Sequence, residues 1–524
     1  MNADATSRYA AADTRYIAAF DAEASPARLH LALALADVAW SPPDRDRLTL
    51  LDLGCGLGLT ALTLAAANPG WDVMGLDLQP AHVAEAREIA AEAGIGNARF
   101  LEADLAGFDA ASAARRLPQA DIVLCRGVWT WVPDAVRQGI VGVLAGCVKP
   151  GGIVLMGYNA LPAQADSIPL QRLIAEAMRG VPGGVAERAA VALDMIIALR
   201  DGGSPYLPPA HILDRIIAVG RTSPAYMAHQ WLTETWRPVF QAELARDLAA
   251  ARLDYAGPAR PSAGMADLQL RPPQRAAIAA LPAGMEAETV LDHFLERRFR
   301  TDIFVRGRRP GGRVTLGRIR FALGVDAAHA NPRLATLAGV ATLPPPARAA
   351  VLGALSEGPR LLADLAALPG AEDAGVEDIA LILAETNIAH PLWRDPPGDR
   401  ARHDRTPFAS QDPTRVASQD PTRVASQDPT RFARCDAVLL RRLGAEIGAA
   451  GAPVGAIAPA LGSGLPMAAE DLALLVALRA GAPADPALLA ARLAPGAEDP
   501  GAVADGIART LALRLAAWRD LGLA

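Results

Sequence analysis

The chain has 524 residues, of which 51% are hydrophobic but only 5% aromatic, and its 51 Lys and Arg against 57 Asp and Glu give a formal net charge of −6. That length suggests about three domains at roughly 150 residues each, with interiors built from Ala, Leu, Val and Ile and therefore rich in helix. The charge balance supplies no basic footprint for a nucleic acid, and no run reaches the roughly 18 apolar residues of a membrane span.

In chain order, residues 1–44 read as a helical arm. Asp4, Arg8, Asp13 and Arg15 break the apolar stretch that a secretion signal needs, so a cytoplasmic protein is expected. From Leu48 short apolar runs alternate with helical stretches, the pattern of parallel strands joined by crossover helices. Strands are expected at 48–53, 71–77, 98–103, 120–125 and 152–158. Pro80 suits the first turn of the helix after the second strand, Gly94 suits its C-terminal cap, and residues 149–152 (KPGG) read as a turn before the fifth strand.

Residues 160–240 read as helices broken by prolines. An amphipathic helix at 241–253 and the segments DYAGPA and TDIFVRG then restore the earlier rhythm, and both segments are expected to rejoin the first sheet. On this reading a chain ending near residue 312 folds without the remainder. Arg297, Arg298, Arg300, Arg306, Arg308 and Arg309 alternate with apolar residues as the solvated face of a strand would.

Beyond Pro310 the chain reads as mostly helical. Helices near 347–356, 360–368 and 376–387 have the spacing of a winged-helix module, which the charge balance turns into a packing domain. Residues 408–431 are three copies of an octad, FASQDPTR and twice VASQDPTR, too polar to bury a core. A final helical segment follows over 434–524. The expected division is 1–44, 45–160, 161–310, 311–400, 401–433 and 434–524: a Rossmann-like, doubly wound α/β sheet with helical insertions, then mostly helical C-terminal domains.

LDLGCGLG places Gly54, Gly56 and Gly58 between the first strand and its helix, where glycines permit a sharp turn and close approach of a ligand. Asp77 ends the second strand 19 residues past Gly58, close to the spacing at which an acid binds a nucleotide's ribose. Asp104 ends the third strand at the same sheet edge. Leu59 stands where a dinucleotide fingerprint carries its third glycine spacing, which disfavours a dehydrogenase. The four cysteines, Cys55, Cys125, Cys147 and Cys435, contain no C-x-x-C pair, so neither a disulfide framework nor a metal site is indicated.

Asp52 with LDLGCGLG, Asp77 and Leu78 in GLDLQP, Asp104 and Leu105 in EADL, Arg126 in ADIVLCRGVWTWVP, and VKPGG before the fifth strand together resemble the class I S-adenosylmethionine (SAM)-dependent methyltransferases. The resemblance implies SAM as cofactor, held by Asp52, Gly54, Cys55, Gly56, Gly58, Asp77, Leu78, Asp104, Leu105 and Arg126. GYNALP, YMAHQWL and DHFLERRFRTDIFVRG extend it, over about 45–310, to bacterial methyltransferases with a methyltransferase regulatory domain, including rickettsial protein-lysine methyltransferases. Three positions depart from that pattern: Gln230 occupies an acidic place, and Ala163-Gln164 replace a Gly-Trp.

Methyl transfer is an in-line displacement that needs alignment and exclusion of water more than catalytic groups. Tyr158 and Asn159, after the fifth strand, are candidates for orienting the acceptor. Trp129 and Trp131 could wall the methyl site, and His229 is the candidate base. The chain lacks the Asn-Pro-Pro-Tyr and Pro-Cys motifs of DNA methyltransferases. The resemblance implies a protein acceptor, with lysine foremost. A small-molecule N- or O-acceptor and a non-catalytic SAM-binding interaction protein stay open.

Overall fold

The computed structural model describes residues 18–281, 287–396, 429–449 and 453–524. The first part of the expected helical arm and the octad repeat up to residue 428 lie outside the described residues. The described part of the arm carries one helix, α1 (Pro26–Leu35), entered through a short 3-10 turn at Ala22–Ala24.

The sheet expected from Leu48 onward is present. Its strands are β1 (Thr49–Leu53), β2 (Asp72–Asp77), β3 (Ala98–Glu102), β4 (Ala120–Arg126) and β5 (Val148–Asn159). They alternate with α2 (Leu59–Ala67), α3 (Pro80–Ala93), α4 (Ala110–Arg116) and α5 (Asp134–Cys147). Helix α3 has Pro80 in its first turn and ends on Gly94 in the left-handed conformation (φ 68°), which a Cβ would strain and which lets the Gly94 N–H cap the last carbonyls. The KPGG segment is not a separate turn. β5 already starts at Val148, and the irregularity sits in its pairing with β4 between Ala120 and Ile122.

Four helices follow, α6 (Ile168–Met178), α7 (Val185–Asp201), α8 (Ala210–Thr222) and α9 (Pro224–Trp231), and they share their own small core around Ile174, Ala192, Ile196 and Met227. After α10 (Gln241–Ala249), β6 (Leu253–Pro258) and β7 (Phe299–Arg306) return to the sheet, giving seven strands in the order β3-β2-β1-β4-β5-β7-β6. β7 runs antiparallel to β5 over seven residue pairs, so it fills what would otherwise be an apolar edge. Apolar cores lie on both faces. One collects α2, α3 and α1, and the other collects α4, α5 and α10.

The arginine-rich strand departs from expectation. Arg300 is buried and pairs with Asp302 (2.9 Å), Asp292 (2.8 Å) and Glu288 (3.0 Å), while Arg297 pairs with Asp292 (2.5 Å) and Arg298 with Asp166 (2.5 Å). Only Arg308 and Arg309 of the six are exposed. A buried guanidinium costs little only when its charge and donors are all matched, and these acids match them.

Residues 311–396 are less helical than expected. The helices α11 (Pro345–Ser356), α12 (Leu362–Ala366) and α13 (Val376–Glu385) come with two small sheets: β9 (Arg333–Thr336) with β10 (Gly339–Thr342), and β11 (Arg360–Leu361), β8 (Arg320–Leu323) and β12 (Ala389–Pro391). The C-terminal part also holds a hairpin that the sequence reading missed, β13 (Val454–Ala458) and β14 (Ser463–Met467), between α14 (Pro429–Ala449) and α15 (Ala469–Arg479). This hairpin packs on α2. Asn68, at the end of α2, donates to the carbonyl of Gly462 at 2.7 Å, and the Cys435 thiol of α14 donates to the carbonyl of Ala93 in α3 at 3.3 Å. Buried residues of 432–523 belong to the same core as α2 and α3, so a chain ending near 312 would leave those faces uncovered.

Candidate cofactor and acceptor site

The loop after β1 turns through three left-handed glycines, with φ of 73° at Gly54, 54° at Gly56 and 73° at Gly58. At Gly54 an added Cβ would also lie 2.3 Å from Val128 Cγ2, so the residue is fixed by conformation and by space together. The N–H groups of Gly54 and Cys55 donate to the carbonyl of Leu76 at 2.8 and 3.0 Å. Asp77 ties the loop to β2: its Oδ2 accepts from Gly56 N at 2.8 Å and its Oδ1 from Gln79 N at 2.9 Å, with His82 Nδ1 3.3 Å away. His82 was not singled out in the sequence, although its place one turn into the helix after Asp77 was readable.

Above the carboxyl ends of β1, β2 and β4 lies a cleft of two joined chambers that share Gly54, Arg126, Gly127, Trp131 and Gln230. The smaller, about 170 Å³, is lined by Gly56, Asp77, Leu78, Asp104, Leu105, Val128 and His229 among others. Apolar walls with carboxylates at the rim suit a nucleoside. Asp104 also caps the turn after β3 by accepting from Ala106 N at 2.9 Å.

The larger chamber, about 540 Å³, is bounded by Asp52, Cys55, Thr60 and Asn159 on the sheet side, by Ile212, Arg215, Met227 and Trp231 of the inserted helices, and by Asp21 from the segment before α1. Its volume lies in the range of small-molecule sites. Trp131 stacks on Trp236, with ring centroids 5.9 Å apart and planes 26° from parallel. The loop carrying Trp131 is held by Thr235, whose hydroxyl donates to the Trp131 carbonyl at 2.6 Å, and by the Thr130 hydroxyl, which donates to Asn159 Oδ1 at 3.1 Å.

The cofactor candidates Asp52, Gly54, Cys55, Gly56, Asp77, Leu78, Asp104, Leu105 and Arg126 all line one chamber or both, and Gly58 forms the end of the loop at the start of α2. The catalytic candidates separate. Asn159 reaches the larger chamber and His229 the smaller. Tyr158 reaches neither: successive residues of a strand point to opposite faces, and its hydroxyl donates to Asp302 Oδ2 at 2.6 Å in the buried Arg300 cluster. An acceptor-orienting role for Tyr158 is therefore corrected to a structural one. Trp129 is likewise buried beside Arg137 rather than on the cleft, and Trp231, Trp236 and Phe299 take the place expected of it.

Burial dominates the electrostatics. It raises the Asp52 carboxyl to about 7, helped by the negative charges of Asp21 and Asp77, and it raises Asp21 to about 6 against the opposing pull of Arg126. Burial, with the carboxylates of Asp52 and Asp77, pushes the Cys55 thiol well up, which leaves it protonated and unreactive. Arg126 meets Asp21 Oδ2 at 2.6 Å through Nε and Glu23 Oε2 at 2.6 Å through Nη1, and Nη1 also donates to Thr301 Oγ1 at 2.7 Å. The glycine cradle, the nucleoside-sized chamber with Asp77 and Asp104, and the buried carboxyl of Asp52 form a donor and acceptor set that fits SAM.

Residues 50–152 match the methyltransferase domain family and residues 223–306 match the family described as "Predicted methyltransferase regulatory domain". An uncharacterized protein of Synechocystis sp. is 30% identical over 316 residues, which are 59% of this chain and 62% of the relative, and one of Rickettsia prowazekii is 30% identical over 122 residues, 23% of this chain and 47% of the relative. The chain thus spans about half to three-fifths of these relatives' lengths. Among solved structures, PKMT2 from Rickettsia typhi in complex with AdoHcy superposes with a TM-score of 0.62 at 18% identity, over 97% of this chain and 99% of that one. Residues 50–152 therefore carry a methyltransferase domain and residues 223–306 a methyltransferase regulatory domain, both built on the seven-stranded sheet of the class I SAM-dependent methyltransferase fold.

Proposed function

We propose that the protein transfers a methyl group from SAM to a side chain of a protein acceptor, with a lysine amine as the receiving atom. The observation that carries this reading is the larger chamber: it continues past the glycine loop, between the sheet edge and helices α6, α8 and α9, and Trp131, Trp231, Trp236 and Phe299 line it. Aromatic faces accommodate an aliphatic stem and favour a cationic amine. The likeness of fold to PKMT2 from Rickettsia typhi supports the same reading.

SAM supplies an electrophilic methyl group. The chain's own residues align and desolvate: the glycine loop and Asp77 fix the nucleoside end, the Thr130–Asn159 pair holds the Trp131 loop, and the helices exclude water. An amine attacks only when neutral, so the rate rises with pH toward the lysine value near 10.4 unless the chamber lowers it.

The test is mass spectrometry of host-lysate proteins after incubation with the protein and SAM bearing a deuterated methyl group. Background from the enzyme itself is small, because Lys149 is its single lysine and pairs with Asp121 (2.7 Å) at the start of β5, the opposite end of that strand from Asn159. Label on lysines of other proteins is expected. Label confined to metabolites would overturn the protein acceptor in favour of a small molecule.

A further inference from the structure

We propose that Asp21, supplied from outside the sheet by the segment before α1, holds the α-ammonium at the amino-acid end of the cofactor together with Asp52. The proposal rests on the reading of the cleft as a SAM site.

Asp21 lines the larger chamber beside Asp52, Gly54 and Arg126. Its position is fixed from two sides. Its N–H donates to Thr60 Oγ1 at 3.1 Å in the first turn of α2, and the neighbouring Phe20 ring lies so close to β13 that a Cβ on Gly455 would sit 2.7 Å from it. The C-terminal hairpin thus presses the segment onto the mouth of the glycine loop.

The charges in this corner do not balance. Asp21 and Glu23 both pair with Arg126, and the side-chain carboxyl of Asp52, a residue 7% exposed and facing the same cavity, accepts no hydrogen bond among the described residues. At this corner three carboxylates therefore share the Arg126 guanidinium, the other arginines of the chamber being Arg298, paired with Asp166, and Arg215 on the facing helix α8, in a site largely removed from water where uncompensated charge is costly. Protons or a bound cation must supply the difference. The ligand-free protein uses protons, since Asp21 is raised to about 6 and Asp52 to about 7. The groups facing them are Arg126, Glu23 and, at the end of the neighbouring strand β2, Asp77. An ammonium placed between the two carboxyls replaces those protons and releases them to solvent.

The experiment is calorimetric titration of the full-length protein with S-adenosylhomocysteine, whose thioether is neutral and whose cation is the ammonium, and with the analogue lacking the α-amino group. Asp21→Asn is expected to weaken binding of S-adenosylhomocysteine by roughly tenfold or more while leaving the desamino analogue's affinity unchanged. Independently of any variant, the wild-type protein at pH 6.5 should release protons on binding S-adenosylhomocysteine, seen as a dependence of the heat on buffer ionisation enthalpy, and should release none with the desamino analogue. Equal weakening of both ligands, unchanged affinity, or equal proton release with both would overturn the role of Asp21. Failure of the wild-type protein to bind either ligand would instead overturn the cofactor site itself, and the proposal with it.

Discussion

Replacing Asp77 with alanine removes a carboxylate that faces the smaller chamber while its two oxygens hold the N–H groups of Gly56 and Gln79. A hydrogen bond to a charged acceptor contributes about 1.5–3 kcal/mol, so losing the bond from a ribose hydroxyl should raise the dissociation constant for S-adenosylhomocysteine between about tenfold and about 150-fold. Releasing Gly56 loosens the loop itself, which adds to the loss and lowers the melting temperature of the ligand-free protein. Asp77→Asn separates the effects, since it keeps one side-chain oxygen for a backbone N–H but gives up the charge, and it should fall between the parent and Asp77→Ala. Isothermal titration calorimetry on the three proteins, with thermal denaturation as the check on folding, measures both quantities. An unchanged dissociation constant in Asp77→Ala would refute the reasoning.

Three further outcomes follow from the geometry. Asp52 has a folded-state pKa of about 7 against an ordinary 3.8, so the stability it contributes is complete below pH 4 and is lost as pH rises through 7; Asp52→Asn should match the parent near pH 4 and, in ligand-free form at pH 8, gain up to roughly 4 kcal/mol, and a variant that melts no higher than the parent at pH 8 would contradict this. A chain ending at residue 312 uncovers the faces of α2 and α3 on which 432–523 pack, so it should aggregate, and a soluble, monomeric product with normal S-adenosylhomocysteine affinity would count against that packing. Removing residues 408–423, two copies of the octad, should leave the melting temperature and cofactor affinity unchanged because their composition offers no core; a drop of several degrees would show that the repeat packs against the rest.

Much of the sheet was legible because its signals are local. The alternation of apolar runs with helical stretches, Pro80 and Gly94 at the ends of one helix, and three glycines that must adopt positive φ each constrain the backbone within a few residues. The same period shows why Tyr158 and Asn159 cannot both face the acceptor: adjacent strand residues point to opposite faces, and only one reaches the cleft. The buried Arg300 had a readable partner in Asp302, two positions on and so on the same face of β7, but Asp292 and Glu288 come from a separate segment. Asp21 was invisible because it meets Arg126 across more than a hundred residues of chain. The hairpin of β13 and β14 escaped notice because its strands, VGAIA and SGLPM, are short and carry Gly and Pro, which weaken any strand signal.

The central claim is that the two chambers together hold SAM, and the most direct measurement is electron density from crystals of the full-length protein grown with S-adenosylhomocysteine. The nucleoside is expected in the smaller chamber, with ribose hydroxyls on Asp77 and the base beside Asp104 and Leu105, and the amino-acid end turned past Gly54 toward Asp52. Density for the ligand elsewhere on the protein, or the reverse orientation with the amino-acid end on Asp77, would contradict it.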